Sequence, residues 1–218
     1  MVALSDPLVA QPPGNPKLVV LPADTVLQRV HRVGFPAGAF NPRPAPTRLT
    51  GGRFDSLAGD YAYTYLGDSV SIAIAETLCR DLPLDGAARL VPARLLAGRA
   101  VTPVATTRDL DVLVLHGPAL AHVGAPLALT KCEADEYEVT RRWARALRAW
   151  SPAVGGFRYR PRHDEDGFAW VFFDDGPSAK EPRARGALRV CGTGLELDSE
   201  PGISLVLDVL RQHNATLG

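Results

Sequence analysis

Glu76 is the only acid in "SVSIAIAETLC" (69–79), a stretch that is otherwise small and mostly apolar. Upstream of it stand Arg53, in "GGRFD", and Tyr65, in "YAYTYLG"; further upstream is Arg29, in "LQRVHR". These residue types can do chemistry together. A carboxylate held away from bulk water stabilises positive charge that develops in a transition state. An arginine offers a rigid fork to anionic oxygens, better than a lysine does. A tyrosine supplies a flat ring for stacking and a hydroxyl for hydrogen bonding.

The elements around these residues read as follows. "DTVLQRVHR" (24–32) and "YAYTYLG" (61–67) alternate, which predicts two strands. Between them "GFPAGAFNPRPAPTRLTGG" (34–52) carries four prolines and four glycines, and predicts a long loop. "DSVSIAIAETLCRDL" (68–82) opens with a cap, Asp68 or Ser69, keeps apolar residues at helical spacing and stops at Pro83. "RLVPARLLAGRAVTPV" and "LDVLVLHG" read as two strands, and "PALAHVG" as a short helix. "CEADEYEVTRRWARALRAW" (132–150) is the clearest helix, acidic at its start and basic at its end, with Tyr137, Trp143, Leu147 and Trp150 on one stripe. "GGFRYRPRH", "FAWVFFDD" and "GALRVCG" read as strands, "GTGLEL" as a turn, and "PGISLVLDVLRQHNATL" as an amphipathic helix. This order predicts an α+β fold with a mixed or largely antiparallel sheet.

Many common chemistries lack their motifs. No GxGxxG follows a strand, and there is no Walker A loop and no G-x-S-x-G elbow. The five histidines are scattered, without paired metal spacing, so no metal is expected. A formal net charge of zero gives no basic surplus for nucleic acid. No apolar run approaches the roughly 20 residues that span a bilayer. Three widely spaced cysteines fit reduced thiols in a cytoplasm. The proline-rich start, residues 1–23, predicts a mobile or loosely docked arm, with residues 24–218 as one domain.

Plain structural roles fit the same residues. By periodicity alone Glu76 sits on an exposed helix face, and Arg29 and Arg53 serve as surface ion-pair partners. Tyr61, Tyr63 and Tyr65 share one strand face, as core residues do. His31 and His163 fit structural roles, and Trp143 and Trp150 fit packing.

Taken together and in order, "LQRVHR", "GGRFD", "TYLGDSVSIAIAETL", "GGFRYRPRHD" and "AWVFFDD" resemble the RES domain family over roughly residues 24–175. The resemblance implies an ADP-ribosyltransferase-like α+β fold, with mixed or antiparallel sheets, flanking helices and a central cleft with Glu76 at its floor. It implies a bacterial toxin that consumes NAD⁺ as substrate, by hydrolysis or phosphorolysis, and an Xre-type antitoxin as partner. Carried onto this chain, it makes Glu76, Arg53 and Tyr65 catalytic. Arg29, His31, Phe54, Tyr159 and Arg162 become contacts to the dinucleotide. Arginines would take the pyrophosphate, and Tyr65 or Tyr159 would stack on nicotinamide.

The chain departs from the family in one place. The family carries a serine in a Y-x-S arrangement after the late-strand tyrosine, and here Pro161 follows Tyr159 and Arg160. Proline has neither hydroxyl nor backbone N–H. The serine's role is then weakened or taken by Arg162 or His163, or the protein binds NAD⁺ without turnover. A mono-ADP-ribosyltransferase acting on a protein, and a silenced NAD⁺-binding module, are the alternative readings. The N-terminal arm is free to contact a partner or to support a homodimer.

Overall fold

The computed structural model describes residues 4–7, 11–45, 47, 51–83, 86–176 and 183–218. The strands are β1 (Leu18–Leu21), β2 (Val26–Arg32), β3 (Ala62–Gly67), β4 (Leu90–Val91), β5 (Arg99–Thr106), β6 (Leu110–Leu115), β7 (Gly156–Tyr159), β8 (Ala169–Asp174), β9 (Leu188–Val190), β10 (Leu195–Glu196) and β11 (Thr216–Leu217). The helices are α1 (Val70–Ile74), α2 (Ala119–His122), α3 (Ala128–Lys131), α4 (Tyr137–Trp150) and α5 (Glu200–Gln212).

The main sheet runs β1-β6-β7-β8-β3-β2-β5-β10, with β9 also on β5. Every pairing in it is antiparallel except β6 with β7. A small second sheet pairs β11 with β4 in parallel. The α+β class with a mixed sheet, expected from the element order, is the class the chain adopts.

Side-chain alternation assigns the faces. On β8, Val171 and Phe173 enter a cluster with Tyr61, Tyr63, Phe157, Tyr159 and the α4 residues Tyr137, Trp143 and Leu147. The intervening Trp170 and Phe172 enter another, with Leu27, Leu66 and Val104. A strand buried on both faces reads as a continuous apolar run, as "AWVFF" does. α5 lays Val206, Val209 and Leu210 against Ile74, Ala75, Leu78 and Val101 in a third cluster.

Parts of the segment expected as an arm are built into the fold. β1 pairs with β6 in the register Leu18↔Leu113 to Leu21↔Leu110. Before it, buried Leu4 packs into the α4 cluster, and Trp143 Nε1 donates to the Ser5 carbonyl at 2.8 Å. "RLVPARLLAGRAVTPV" splits into β4, a 3₁₀ turn at Ala93–Leu95 and β5. Gly98, with φ of +63°, allows the reversal that separates them. "GTGLEL" contains β10, whose partner β5 is remote in sequence.

Candidate active site

The helix that carries Glu76 is short and changes pitch. Ser69 caps it, its hydroxyl accepting the Ile72 N–H at 3.1 Å. After five α-helical residues the chain widens into a π turn, Ala75–Cys79. Single π turns often occur where a side chain must be re-aimed. The helix lies close against β3, where a Cβ on Gly67 would meet the Ala73 nitrogen at 2.5 Å. Ile72 enters the α4 cluster, while Ile74, Ala75, Leu78 and Cys79 enter the α5 cluster. With both sides packed, Glu76 does not face open solvent. Its side chain keeps 12% of its exposure and lines a cavity of about 400 Å³.

Arg53 reaches the same cavity from the 51–55 turn and is itself 2% exposed. Its Nη1 lies 3.4 Å from Glu76 Oε1, and Nη2 donates to the Cys132 carbonyl at 3.3 Å. Burial opposes the guanidinium charge. Tyr137, Glu76 and Tyr159 more than offset it, so the pKa is raised and Arg53 stays protonated. Tyr137 also presents its ring 5.2 Å from the guanidinium carbon.

The turn is braced from both sides. Tyr65 donates its hydroxyl to Asp55 Oδ1 at 2.7 Å and accepts the Phe54 N–H at 2.8 Å. Asp55 Oδ2 accepts the Gly52 N–H at 2.7 Å. A Cβ on Gly52 would come within 2.7 Å of the Tyr65 hydroxyl, so only glycine fits. From α4, Arg141 Nε donates to the Gly52 carbonyl at 3.0 Å, and Thr140 Oγ1 donates to the Arg53 carbonyl. Burial, and then the Asp55 charge, push the Tyr65 pKa up, so the phenol remains a donor.

The expected site residues separate into groups. Glu76, Arg53 and Tyr65 converge on the cavity, and Arg29 lies on its wall. Arg29 is turned largely to structure: its Nη1 donates to the Ala37 and Ala39 carbonyls, and burial lowers its pKa to about 10. Tyr159 is fully buried behind Glu76 and donates its hydroxyl to Glu76 Oε1 at 2.6 Å. It therefore meets the carboxylate, not a stacked ring. Phe54 is not a cavity residue, because its ring is fully buried edge-on against Phe157 and Tyr159.

His31 does not line this cavity but the one beside it. Its Nε2 lies 2.8 Å from Thr102 Oγ1, and Nδ1 lies 3.0 Å from the Arg32 and Phe35 carbonyls. Nδ1 must then carry the proton. Arg162 pairs with Glu133 at 2.7 Å and lines a different surface cleft. His163 packs against Arg89, 3.4 Å away. Neither neighbour of Pro161 thus stands in the cavity. Pro161 is buried outside it, and its carbonyl accepts from Lys131 Nζ.

Several wall residues carried weaker signals or none. Arg32 follows Arg29 in "LQRVHR", Asp55 closes "GGRFD", and Arg80 follows Glu76 at helical spacing. Arg99 has no local signal, since only the β2–β5 pairing brings it in. The wall thus collects Arg29, Arg32, Arg53, Arg80 and Arg99 against two carboxylates, Asp55 and Glu76. A chain of zero net charge has concentrated five arginines around two acids. Among the described residues, no group of three or more His, Cys, Asp or Glu is arranged to hold a metal. No helix there is long and apolar enough to cross a membrane.

Fold and site together define a mixed α+β protein with an arginine-walled cavity built around a single inward glutamate. The RES domain profile matches residues 26–190, and the chain belongs to that family. Among solved structures, a chain of the M. tuberculosis MbcT-MbcA toxin-antitoxin complex aligns with a TM-score of 0.57. The alignment covers 90% of this chain and 92% of that one at 17% identity, a likeness of fold. No curated protein matches the chain.

Proposed function

We propose that this protein consumes NAD⁺ by breaking the nicotinamide–ribose bond, as the toxin of a toxin–antitoxin pair. The observation that carries the reading is the placement of Glu76. Its carboxylate borders a cavity walled by arginines, with Arg53 and the Tyr159 hydroxyl both meeting its Oε1.

The chemistry suits a lone acid. Nicotinamide departs as a neutral base, taking the electron pair of the broken C–N bond, so no proton need be supplied. The ribose carbon becomes oxocarbenium-like, and a preorganised carboxylate stabilises that charge more than it stabilises the ground state. Water, phosphate or a protein side chain then adds to that carbon. Arg53 and the Tyr159 hydroxyl orient the carboxylate, and Arg32, Arg80 and Arg99 are available to the pyrophosphate. Family membership and the likeness to a toxin–antitoxin complex support a protein partner that covers the cavity, an Xre-type antitoxin by family analogy.

The test is nicotinamide release from NAD⁺, with and without inorganic phosphate. Wild type should release it, and Glu76→Gln should be slower by about 10²–10³-fold. Dependence on phosphate marks phosphorolysis. Stable label on a protein band, from labelled NAD⁺ in lysate, marks transfer. No release and no transfer by wild type would overturn the reading.

A further inference from the structure

Beside the Glu76 cavity lies a second, of about 500 Å³. Arg29, Arg32, Asn41 and Arg99 line both, so the two form one continuous cleft. The second cavity adds Phe35 and Phe40 to its walls.

Two features of this cleft suit a ligand. The first is the pair Arg32 and Arg99, which stand opposite each other in the β2–β5 ladder. Opposed residues in an antiparallel pair project from the same face, with Cβ atoms about 5 Å apart, and like charges there are destabilising. Among the described residues no carboxylate forms an ion pair with either. Burial, Arg32 and Arg80 all lower the Arg99 pKa, and no acid raises it. Two arginines rooted opposite each other on one sheet face match the charge of a diphosphate.

The second feature is Phe35, which is 50% exposed. An exposed ring on a loose loop would mean little, but this loop is pinned. The Phe35 N–H donates to the Arg32 carbonyl at 2.9 Å, His31 Nδ1 holds the Phe35 carbonyl, and Arg29 holds those of Ala37 and Ala39. The Arg43 guanidinium carbon lies 5.8 Å from the ring centroid. An aromatic face with a nearby guanidinium suits a stacked base.

We propose that the second cavity binds the adenosine-diphosphate half of the dinucleotide, with Arg32 and Arg99 on the diphosphate and Phe35 against the adenine. This rests on the reading of the Glu76 cavity as an NAD⁺ site. It also gives Arg29 and His31 a purpose: they hold the loop that presents the ring.

Calorimetric titration of the full chain with ADP and with inorganic pyrophosphate tests the assignment. Wild type, Arg32→Gln, Arg99→Gln and Phe35→Ala are compared, with melting temperature as the check on folding. Each arginine variant should weaken both ligands about tenfold, the loss of a charge-assisted contact. Phe35→Ala should weaken ADP about tenfold and leave pyrophosphate unchanged, because only the base stacks. Failure of ADP to bind wild type, or equal binding by all four proteins, overturns the assignment. ADP has no scissile nicotinamide bond, so this result does not depend on turnover. If ADP behaves as expected and NAD⁺ is not cleaved, the proposed function fails and this site stands. If NAD⁺ is cleaved and ADP ignores the substitutions, the reverse holds.

Discussion

The Tyr159 hydroxyl lies 2.6 Å from Glu76 Oε1, at the end of a ring that is wholly buried. Burial, and then the Glu76 charge, push the phenol's pKa well up, so it donates at any working pH. A charge-assisted bond of this kind is short and directional. It leaves the carboxylate one preferred orientation, toward the cavity. Tyr159→Phe keeps the ring in its packing with Phe54 and removes only that bond. Nicotinamide release should fall about tenfold, less than for Glu76→Gln, with a loss of about 1 kcal/mol in urea unfolding. Unchanged turnover in Tyr159→Phe would show that the hydroxyl does not position the acid.

Arg53 is coupled to the same carboxylate oxygen, at 3.4 Å. Removing its charge takes a donor from the Cys132 carbonyl and leaves Glu76 with the Tyr159 hydroxyl alone. Arg53→Met should destabilise the protein by about 3 kcal/mol, as expected for breaking a buried pair. In a double-mutant cycle with Glu76→Gln, the coupling energy should be about 1–2 kcal/mol. Additive stability losses within about 0.5 kcal/mol would mean that the two residues do not interact.

How far these contacts were legible in the sequence depends on their range. β2, β3, α4 and α5 follow from period-2 and period-3.6 patterns, because burial on one or two faces writes itself locally. Glu76, Arg53 and Tyr65 were identifiable by type and order. What the sequence did not carry is direction. Arg29, His31 and Arg162 have the right chemistry, but the fold gives each a partner of its own, the Ala37 carbonyl, Thr102 and Glu133. Arg99 enters the site only through the β2–β5 register, and β10 exists only because β5 offers it an edge. The phase of Glu76 was hidden by the π turn, which no 3.6-residue pattern anticipates.

Tyr65 separates a stacking role from a bracing one. Its hydroxyl bridges Asp55 and the Phe54 N–H, which holds the turn bearing Arg53. Tyr65→Phe retains the ring and deletes the bridge, leaving that N–H without its acceptor. Stability should fall by about 1–3 kcal/mol, and nicotinamide release should fall with it. Full activity and an unchanged melting temperature in Tyr65→Phe would assign the residue to its ring alone.

His163 makes stability depend on pH. Burial first, and then Arg162 and Arg89, lower its pKa to about 4. An unfolded histidine titrates near about 6.5. Between these values the unfolded chain binds the extra proton, so stability is full above about 6.5 and is lost as pH falls toward 4. The ring keeps some solvent contact, so the loss should be roughly 1 kcal/mol, or about 2–4 °C in Tm. His163→Gln cannot charge. Its Tm should fall less steeply than that of wild type between pH 7 and pH 4.5. Parallel curves for the two proteins would exclude His163 as a source of the slope.

Pro161 stands where the family resemblance places a serine, and its position in the fold argues that the loss is harmless. It is buried outside the cavity, beyond Tyr159, and its carbonyl is held by Lys131 Nζ. Position 161 does not line the cavity, and the Glu76 carboxylate already has Arg53 and Tyr159 as neighbours. Pro161→Ser should therefore leave nicotinamide release within about twofold of wild type. It should cost up to about 1 kcal/mol of stability, because the unfolded chain gains freedom that proline denies it. A large gain in turnover would mean that the serine's oxygen reaches the reacting sugar after all, and that this chain works below the capacity of its own fold.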